Sequence, residues 1–338
     1  MARQQTPAFD LAAPAARPAA PAPGPGRRMV RRLLAIPPAE TSFAVRGFRS
    51  DDAAIRERLE GVAGAFVRGY HAALAVDPPA LAARLASEPP ALQGFACEGA
   101  AFGATLLDVL TGWRRRRFAR HLEAGDAQVY IIHIGAGWAL ARLPLAVDAL
   151  LARLDPLLGW LALDGYGFHQ GFFHAARAVG RREVPRKVQG YARRAFDQGL
   201  GRSLWFVEGA DPGRIAADVA AFPAARHDDL WSGVGLAATY AGGRGPAALA
   251  ALVRAAGEHA PALGQGAAFA AAARVRAGCV PAATDEACAV LCGRPASAAA
   301  ALCGDAERDL PPDRPGEPAF EVWRRRIQRE ILPGGFHA

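Results

Sequence analysis

The stretch Leu163-Asp164-Gly165-Tyr166-Gly167-Phe168-His169-Gln170-Gly171-Phe172-Phe173-His174 decides how this chain is read. It is the densest cluster of aromatic and ionisable groups in the sequence, and the fullest version of a phrase that recurs. The phrase is a polar residue followed by Gly-x-Gly or Gly-x-Ala. Its leading glycine falls at Gly61, Gly99, Gly135, Gly165, Gly199, Gly233 and Gly266, at spacings of 38, 36, 30, 34, 34 and 33. A period near 34 is the length of one helix–turn–helix unit in tetratricopeptide-like arrays.

The local context repeats too. Around Gly233, Asp228 and Asp229 stand in the first turn of a long apolar helix, where acids suit the helix dipole. Gly242-Gly243 stop it, and a shorter amphipathic helix follows from about Pro246 to Gly257 with Leu249, Leu252 and Val253 on one face. The same alternation gives short helices over Trp113–Glu123, Leu145–Leu154 and Pro212–Phe222. A glycine inside a helix costs about 0.5–1 kcal/mol relative to alanine. Its repeated use in the long helices implies a return from close backbone approach, so these helices form the crowded inner layer and the short ones the outer. The tetratricopeptide signature itself is not reproduced. The expected fold is all-α, with about seven tandem helical hairpins forming a curved solenoid or a closed α/α toroid. Its boundaries are an Ala/Pro-rich disordered tail at 1–28, a lead-in at 29–50, the repeat domain at 51–332 and a C-terminal tail at 333–338. Met29 is an alternative translation start. The Arg-rich beginning has too short an apolar segment for a targeting signal.

Composition agrees. Hydrophobic residues make up 51% of the 338, much of it alanine, which favours helix over strand. Only Gln128–Ile134 alternates β-branched residues, and it runs into a helical pattern. The net charge of +8 sits mostly in short arginine blocks, Arg27-Arg28, Arg114–Arg117, Arg181-Arg182 and Arg324–Arg326, read as solvated helix faces in the absence of any nucleic-acid module. Five cysteines without a secretory leader suggest reduced thiols and a cytoplasmic protein. Cys288 and Cys292 share a helical face but lack the histidines of a zinc site. No apolar run is long enough for a membrane span. No P-loop, Gly-x-Ser-x-Gly elbow, His-Glu-x-x-His or Cys-x-x-Cys is present, and no cofactor or metal is expected.

The residues before the leading glycines are Glu60, Glu98, Ile134, Asp164, Gln198, Ser232 and Gln265. In an inner helical layer they form a polar ring at one level. Such a ring either locks repeat to repeat by hydrogen bonds or lines a pocket with a few polar groups on apolar walls. In the pocket reading Asp164, His169, His174 and Asp197 are the catalytic candidates. Glu98, His133, Trp138, Tyr166, Phe168, Arg202, Trp205, Trp231 and Gln265 are the ligand-binding ones. Asp164 in aromatic surroundings would act as a general acid, with His169 flanking the same ligand. Asp197 and Arg202 are placed to pair. His227-Asp228-Asp229 lacks the spacing of a magnesium–diphosphate site and is read as a helix cap. Ala319–Leu332, with Phe320, Val322, Trp323 and Ile327 between arginines, is read as a terminal capping helix.

Four phrases together, Ala162–His174, Arg194–Phe206, Asp229–Leu236 and Val322–Ile327, resemble a bacterial family of unknown function encoded beside enediyne-type polyketide synthases. The resemblance spans about Ala35 to Leu332. It implies a role in secondary metabolism and carries no assigned reaction. Three functions follow as expectations. The first is a protein that binds or converts an apolar polyene-like intermediate in a central cavity. The second is a scaffold or chaperone for a polyketide synthase or tailoring enzyme, and the third a terpenoid-type cyclase.

Overall fold

A computed structural model of the chain describes Met29 and residues 32–331. The tails assigned to 1–28 and 333–338 lie outside the described residues, as does Leu332. Among the described residues there is no strand beyond one isolated bridge between Arg314 and Glu317. After the short helix α1 (Phe43–Arg46) the chain runs through seven long helices. They are α2 (Ala53–Ala75), α4 (Pro90–Leu110), α6 (Val129–Arg142), α8 (Leu161–Phe173), α9 (Ala192–Val207), α11 (His227–Tyr240) and α13 (Ala260–Arg276). Six of them are followed by a short one: α3 (Pro78–Ala86), α5 (Arg117–Ala124), α7 (Val147–Leu151), α10 (Pro212–Ala220), α12 (Pro246–Ala256) and α14 (Ala282–Leu291). After α8 a single π-turn over Ala176–Gly180 takes that place.

Starts and stops are local. Asp52 caps α2 by accepting from the amides of Ala54 and Ile55, and proline opens α3, α4, α10 and α12, where its absent N–H costs nothing. Gly242 and Gly243, at φ +64° and +108°, turn the chain out of α11 in a conformation that excludes most side chains.

The long helices pack one on the next in chain order, and the short ones pack on each other outside them. The layers differ in burial as expected. Nearly every residue of α8 and α11 is buried, whereas α10 buries only Ile215 and Val219. The first two long helices contact the last two: Arg58 Nε of α2 donates to Ala241 O at 2.7 Å, just after α11, and Arg274 of α13 donates to Ala91 O of α4 at 2.9 Å. The helices α15 (Ala296–Glu307) and α16 (Ala319–Glu330) close the far end, where Trp323 Nε1 donates to Cys303 O.

The recurring glycines sit where backbones cross. A Cβ on Gly135, Gly165, Gly199, Gly233 or Gly266 would lie 1.7–2.2 Å from the carbonyl oxygen of Glu98, Ile134, Asp164, Gln198 or Ser232 respectively. Each acceptor is the residue before the leading glycine of the preceding unit. The second glycines face the other way: Gly69, Gly137, Gly167, Gly201 and Gly235 press on the carbonyls of Ala96, Ala162, Phe196, Leu230 and Leu263 in the following unit.

This geometry corrects the register of the first unit. Nothing lies within 4 Å of a Cβ on Gly61, while Gly99 presses on Phe66 O. The first unit therefore places Val67 and Gly69 where the others have Gly-x-Gly or Gly-x-Ala, and Phe66 rather than Glu60 holds its ring position. Glu60 instead accepts from the Phe43 amide at 2.7 Å and anchors the lead-in segment. One arginine block is corrected too: Arg114, Arg115, Arg181 and Arg182 are exposed, but Arg324 is completely buried.

No single helix among the described residues is long and apolar enough to cross a membrane.

Candidate functional site

With the register set, the polar ring-position side chains, those of Glu98, Asp164, Gln198, Ser232 and Gln265, meet in one buried polar ladder. Arg202 of α9 is its hub. One terminal nitrogen donates to Asp164 Oδ1, and the other lies 3.5 Å from Glu98 Oε1. Trp138 Nε1 also donates to Glu98 Oε1, at 3.1 Å. Gln198 Nε2 donates to Asp164 Oδ2 at 2.8 Å, and Ser232 Oγ lies 3.2 Å from Gln198 Oε1 and 2.9 Å from Gln265 Oε1. The one hydroxyl proton of Ser232 thus faces two amide oxygens. Arg324 of α16 continues the ladder, donating to Gln265 Oε1 at 3.2 Å and pairing with Asp229 at 2.8 Å. Arg194, Glu321 and Tyr191 complete that end. Buried charges need partners of this kind, because desolvation of an isolated one costs several kcal/mol.

At the Glu98–Arg202 end the ladder opens into a cavity. It is walled by residues from α2, α4, α6, α8, α9 and α11, with Phe66, Phe95, Trp138, Phe168 and Phe206 supplying rings. Ile36, Glu40 and Thr41 of the lead-in segment also line it. The cavity is small, about 40 Å³. It is a slit with largely apolar faces. The Arg202 guanidinium stands 4.8 Å over the Phe168 ring, so the cation is held by a π face as well as by Asp164.

Glu98 is the titratable group of interest. It is 2% exposed, and burial pushes its carboxyl up; Arg202 opposes that shift and Asp164 adds to it. Two carboxyls share one arginine here, so a proton on Glu98 leaves the cluster neutral. Oε1 takes both polar contacts.

The other sequence candidates are distributed differently. Trp138, Phe168 and Arg202 join Glu98 in the cavity wall. Asp164, expected to act as an acid in aromatic surroundings, lies behind Arg202 as its ion-pair partner and does not line the cavity. His169 is packed edge-on to Trp138 at 5.4 Å with neither ring nitrogen hydrogen-bonded. Burial, then His174 and Arg142, push its pKa down to about 3. Asp164 and His169 therefore do not flank one ligand. His174 is exposed at the end of α8, its pKa lowered first by burial and then by Arg177.

Asp197 pairs with Arg226, through Oδ1 at 2.5 Å and Oδ2 at 2.8 Å, and not with Arg202 as expected. His133 is held by Val129 O at 2.8 Å, and Trp205 donates to Gly242 O at 3.0 Å. Tyr166 packs edge-on to Phe196 with Lys187 over its ring. Trp231 is buried away from the cavity, and Gln265 is a rung of the ladder. Asp228 and Asp229 do not cap α11: Asp229 pairs with Arg194 and Arg324, and Asp228 lies 2.6 Å from His259. Sequence reasoning did not single out the lead-in residues that line the cavity, because nothing in their own pattern points to the slit.

Among the described residues no cluster of three or more His, Cys, Asp or Glu side chains is arranged to hold a metal ion. Of the five free cysteines four are buried, and Cys279 is half-buried. A family model described as Protein of unknown function (DUF1702) matches residues 26–331. No curated protein and no solved structure matches the chain.

Proposed function

Since the chain belongs to the family of unknown function DUF1702, we propose a function from its own geometry: it binds an apolar, polyene-like small molecule in the slit, with Glu98 as proton and hydrogen-bond donor. The observation that carries this is a buried carboxyl, Glu98, whose polar contacts both fall on Oε1, in a largely apolar and aromatic wall. Narrow apolar sites with a few convergent polar groups are how proteins take small molecules.

Trp138 and Arg202 fix Oε1, so Oε2 presents its proton to the ligand. The first consequence is a hydrogen bond to a ligand carbonyl or hydroxyl. Transfer of that proton would leave a carboxylate beside Arg202, which stabilises it, as a general acid requires. The resemblance to proteins encoded beside enediyne-type polyketide synthases supports a polyene-like polyketide as ligand, and with it a cytoplasmic place in secondary metabolism. We read the array as a tightly wound α/α superhelix closing on itself near its sixth unit, since Arg58 of the first reaches Ala241.

The scaffold reading needs an open concave face, whereas these inner helices face a narrow slit. A cyclase working through a metal–diphosphate centre would need Asp228 and Asp229, and both are engaged with cations or histidine.

Titration of the purified protein with a conjugated polyene aldehyde, followed by tryptophan fluorescence, tests the proposal. Saturable quenching is expected for the wild type, about tenfold weaker binding for Glu98→Ala from loss of one hydrogen bond, and no binding for Ala237→Trp, which fills the slit. Quenching that persists unchanged in Ala237→Trp would rule out this cavity.

A further inference from the structure

A second void lies beside the first. It is smaller, about 20 Å³, and walled by residues of α6, α8, α11, α13 and α16, among them Ile134, Phe269, Ala272 and Trp323. Leu236 and Tyr240 of α11 line both voids. They are one helical turn apart and so form a single partition. Its two halves differ in rigidity. The Tyr240 ring is fixed: the Arg274 guanidinium stacks on it at 3.9 Å, and Phe95 packs against it at 5.0 Å. Its hydroxyl is buried without a hydrogen-bond partner, an arrangement that ordinarily costs free energy and calls for an explanation. Leu236 is held by no polar contact, so a change of its rotamer is the way through.

We propose, resting on the reading of the slit as an apolar-ligand site, that the second void is a tail chamber for the same ligand. A single unbranched apolar chain would run from the Glu98–Arg202 end past Leu236 to the wall that Phe269 and Trp323, packed on each other at 4.6 Å, form together. The second chamber has no charged group in its wall, and its polar atoms are the hydroxyls of Tyr130 and Tyr240 and the Trp323 N–H, which is already given to Cys303. It therefore suits hydrocarbon and not a headgroup. The chambers together make chain length, rather than headgroup, the property selected.

Each chamber carries its own reporter, Trp138 in the first and Trp323 in the second. Straight-chain primary alcohols with a terminal bromine quench indoles on contact, so a series from about eight to about eighteen carbons reads where the chain end lies. Affinity is expected to rise about fourfold per added methylene while the chain is being buried. Short members should spare Trp323, and long members should quench it, the Trp323 component being the part lost in Trp323→Phe. Ala272→Phe, which fills the tail chamber, should abolish the Trp323 component and halt the rise in affinity at a shorter chain, with short members bound as before. Leu236→Ala should tighten long members only. If short members bind and the length at which affinity stops rising is the same in wild type, Ala272→Phe and Leu236→Ala, the tail chamber is refuted while the slit reading stands. If no member of the series binds the wild type, both fall.

Discussion

Replacing Gly199, Gly69 and Gly61 one at a time by alanine separates close approach from chance spacing. At Gly199 a Cβ would lie 1.7 Å from Asp164 O, and at Gly69 it would lie 1.8 Å from Ala96 O. Ordinary carbon–oxygen contact is about 3.4 Å, so α8 and α9, or α2 and α4, must move apart by roughly 1.5 Å. A gap of even 0.5–1 Å forfeits a quarter to a half of the dispersion energy of the atoms it separates. Overpacking of this kind costs about 1–3 kcal/mol. At Gly199 the shift also stretches the Gln198–Asp164 hydrogen bond, now 2.8 Å, which adds about 1–3 kcal/mol for a buried acceptor left short. The helix-propensity gain from glycine to alanine returns only about 0.5–1 kcal/mol. Gly199→Ala should therefore destabilise by about 3 kcal/mol and Gly69→Ala by somewhat less. At Gly61 nothing lies within 4 Å, so only the propensity term remains, and Gly61→Ala should stabilise by about 0.5–1 kcal/mol. Urea unfolding followed by circular dichroism measures all three. A loss at Gly61 comparable with that at Gly199 would refute the corrected register, as would a neutral Gly69→Ala.

Two further outcomes follow from the ladder and its neighbour. Arg202→Met leaves Asp164 buried and uncompensated and should cost about 3–5 kcal/mol, with much of the loss recovered when Asp164→Asn is added; a double variant no more stable than the single one in urea melts would contradict the pairing. His169 has its pKa held down to about 3 from an ordinary 6.5, so the unfolded chain binds a proton that the folded one refuses. Stability therefore rises with pH across that window and is lost as pH falls through it. His169→Phe should flatten melting temperature against pH between those values; a curve parallel to the wild type would show that the ring takes up its proton in place.

Much of the fold was legible because its signals are local. Prolines at helix starts, glycine pairs at stops and a glycine recurring about every 34 residues each act within one unit. The first register was not legible, for a physical reason. A leading glycine is needed where the preceding unit's carbonyl presses on it, and the first long helix has no predecessor. Val67 is tolerated there, and the nearby Glu60-Gly61-Val62-Ala63 imitates the phrase without its contact. The second glycine, which faces the following unit, is retained as Gly69. Ion-pair partners were less legible still. Whether Asp197 meets Arg202 five residues along or Arg226 across a helix interface depends on rotation about the axes, and periodicity fixes that only to within a residue or so. Arg324 was hidden among its neighbours Arg325 and Arg326, because a block of like residues does not say which one faces inward.

The ring position itself explains how one repeat supports both a rigid array and a cavity. Asp164, Gln198, Ser232 and Gln265 are successive polar occupants, and each is hydrogen-bonded to another of them. The departures are Phe66 and Ile134, and each walls a void: Phe66 the slit, Ile134 the tail chamber. Glu98 belongs to both sets, since it is tied to Arg202 and also faces the slit. An apolar residue at this position offers no donor or acceptor to the next unit, so at Ile134 the ladder is bridged by Arg202, which joins Glu98 to Asp164, and space beside the apolar side chain is left unfilled. A polar substitution such as Ile134→Gln would offer the ladder a rung it lacks, at the expense of apolar wall in the tail chamber. Rigidity and capacity thus compete for the same side chain, and at Glu98 one carboxyl serves both.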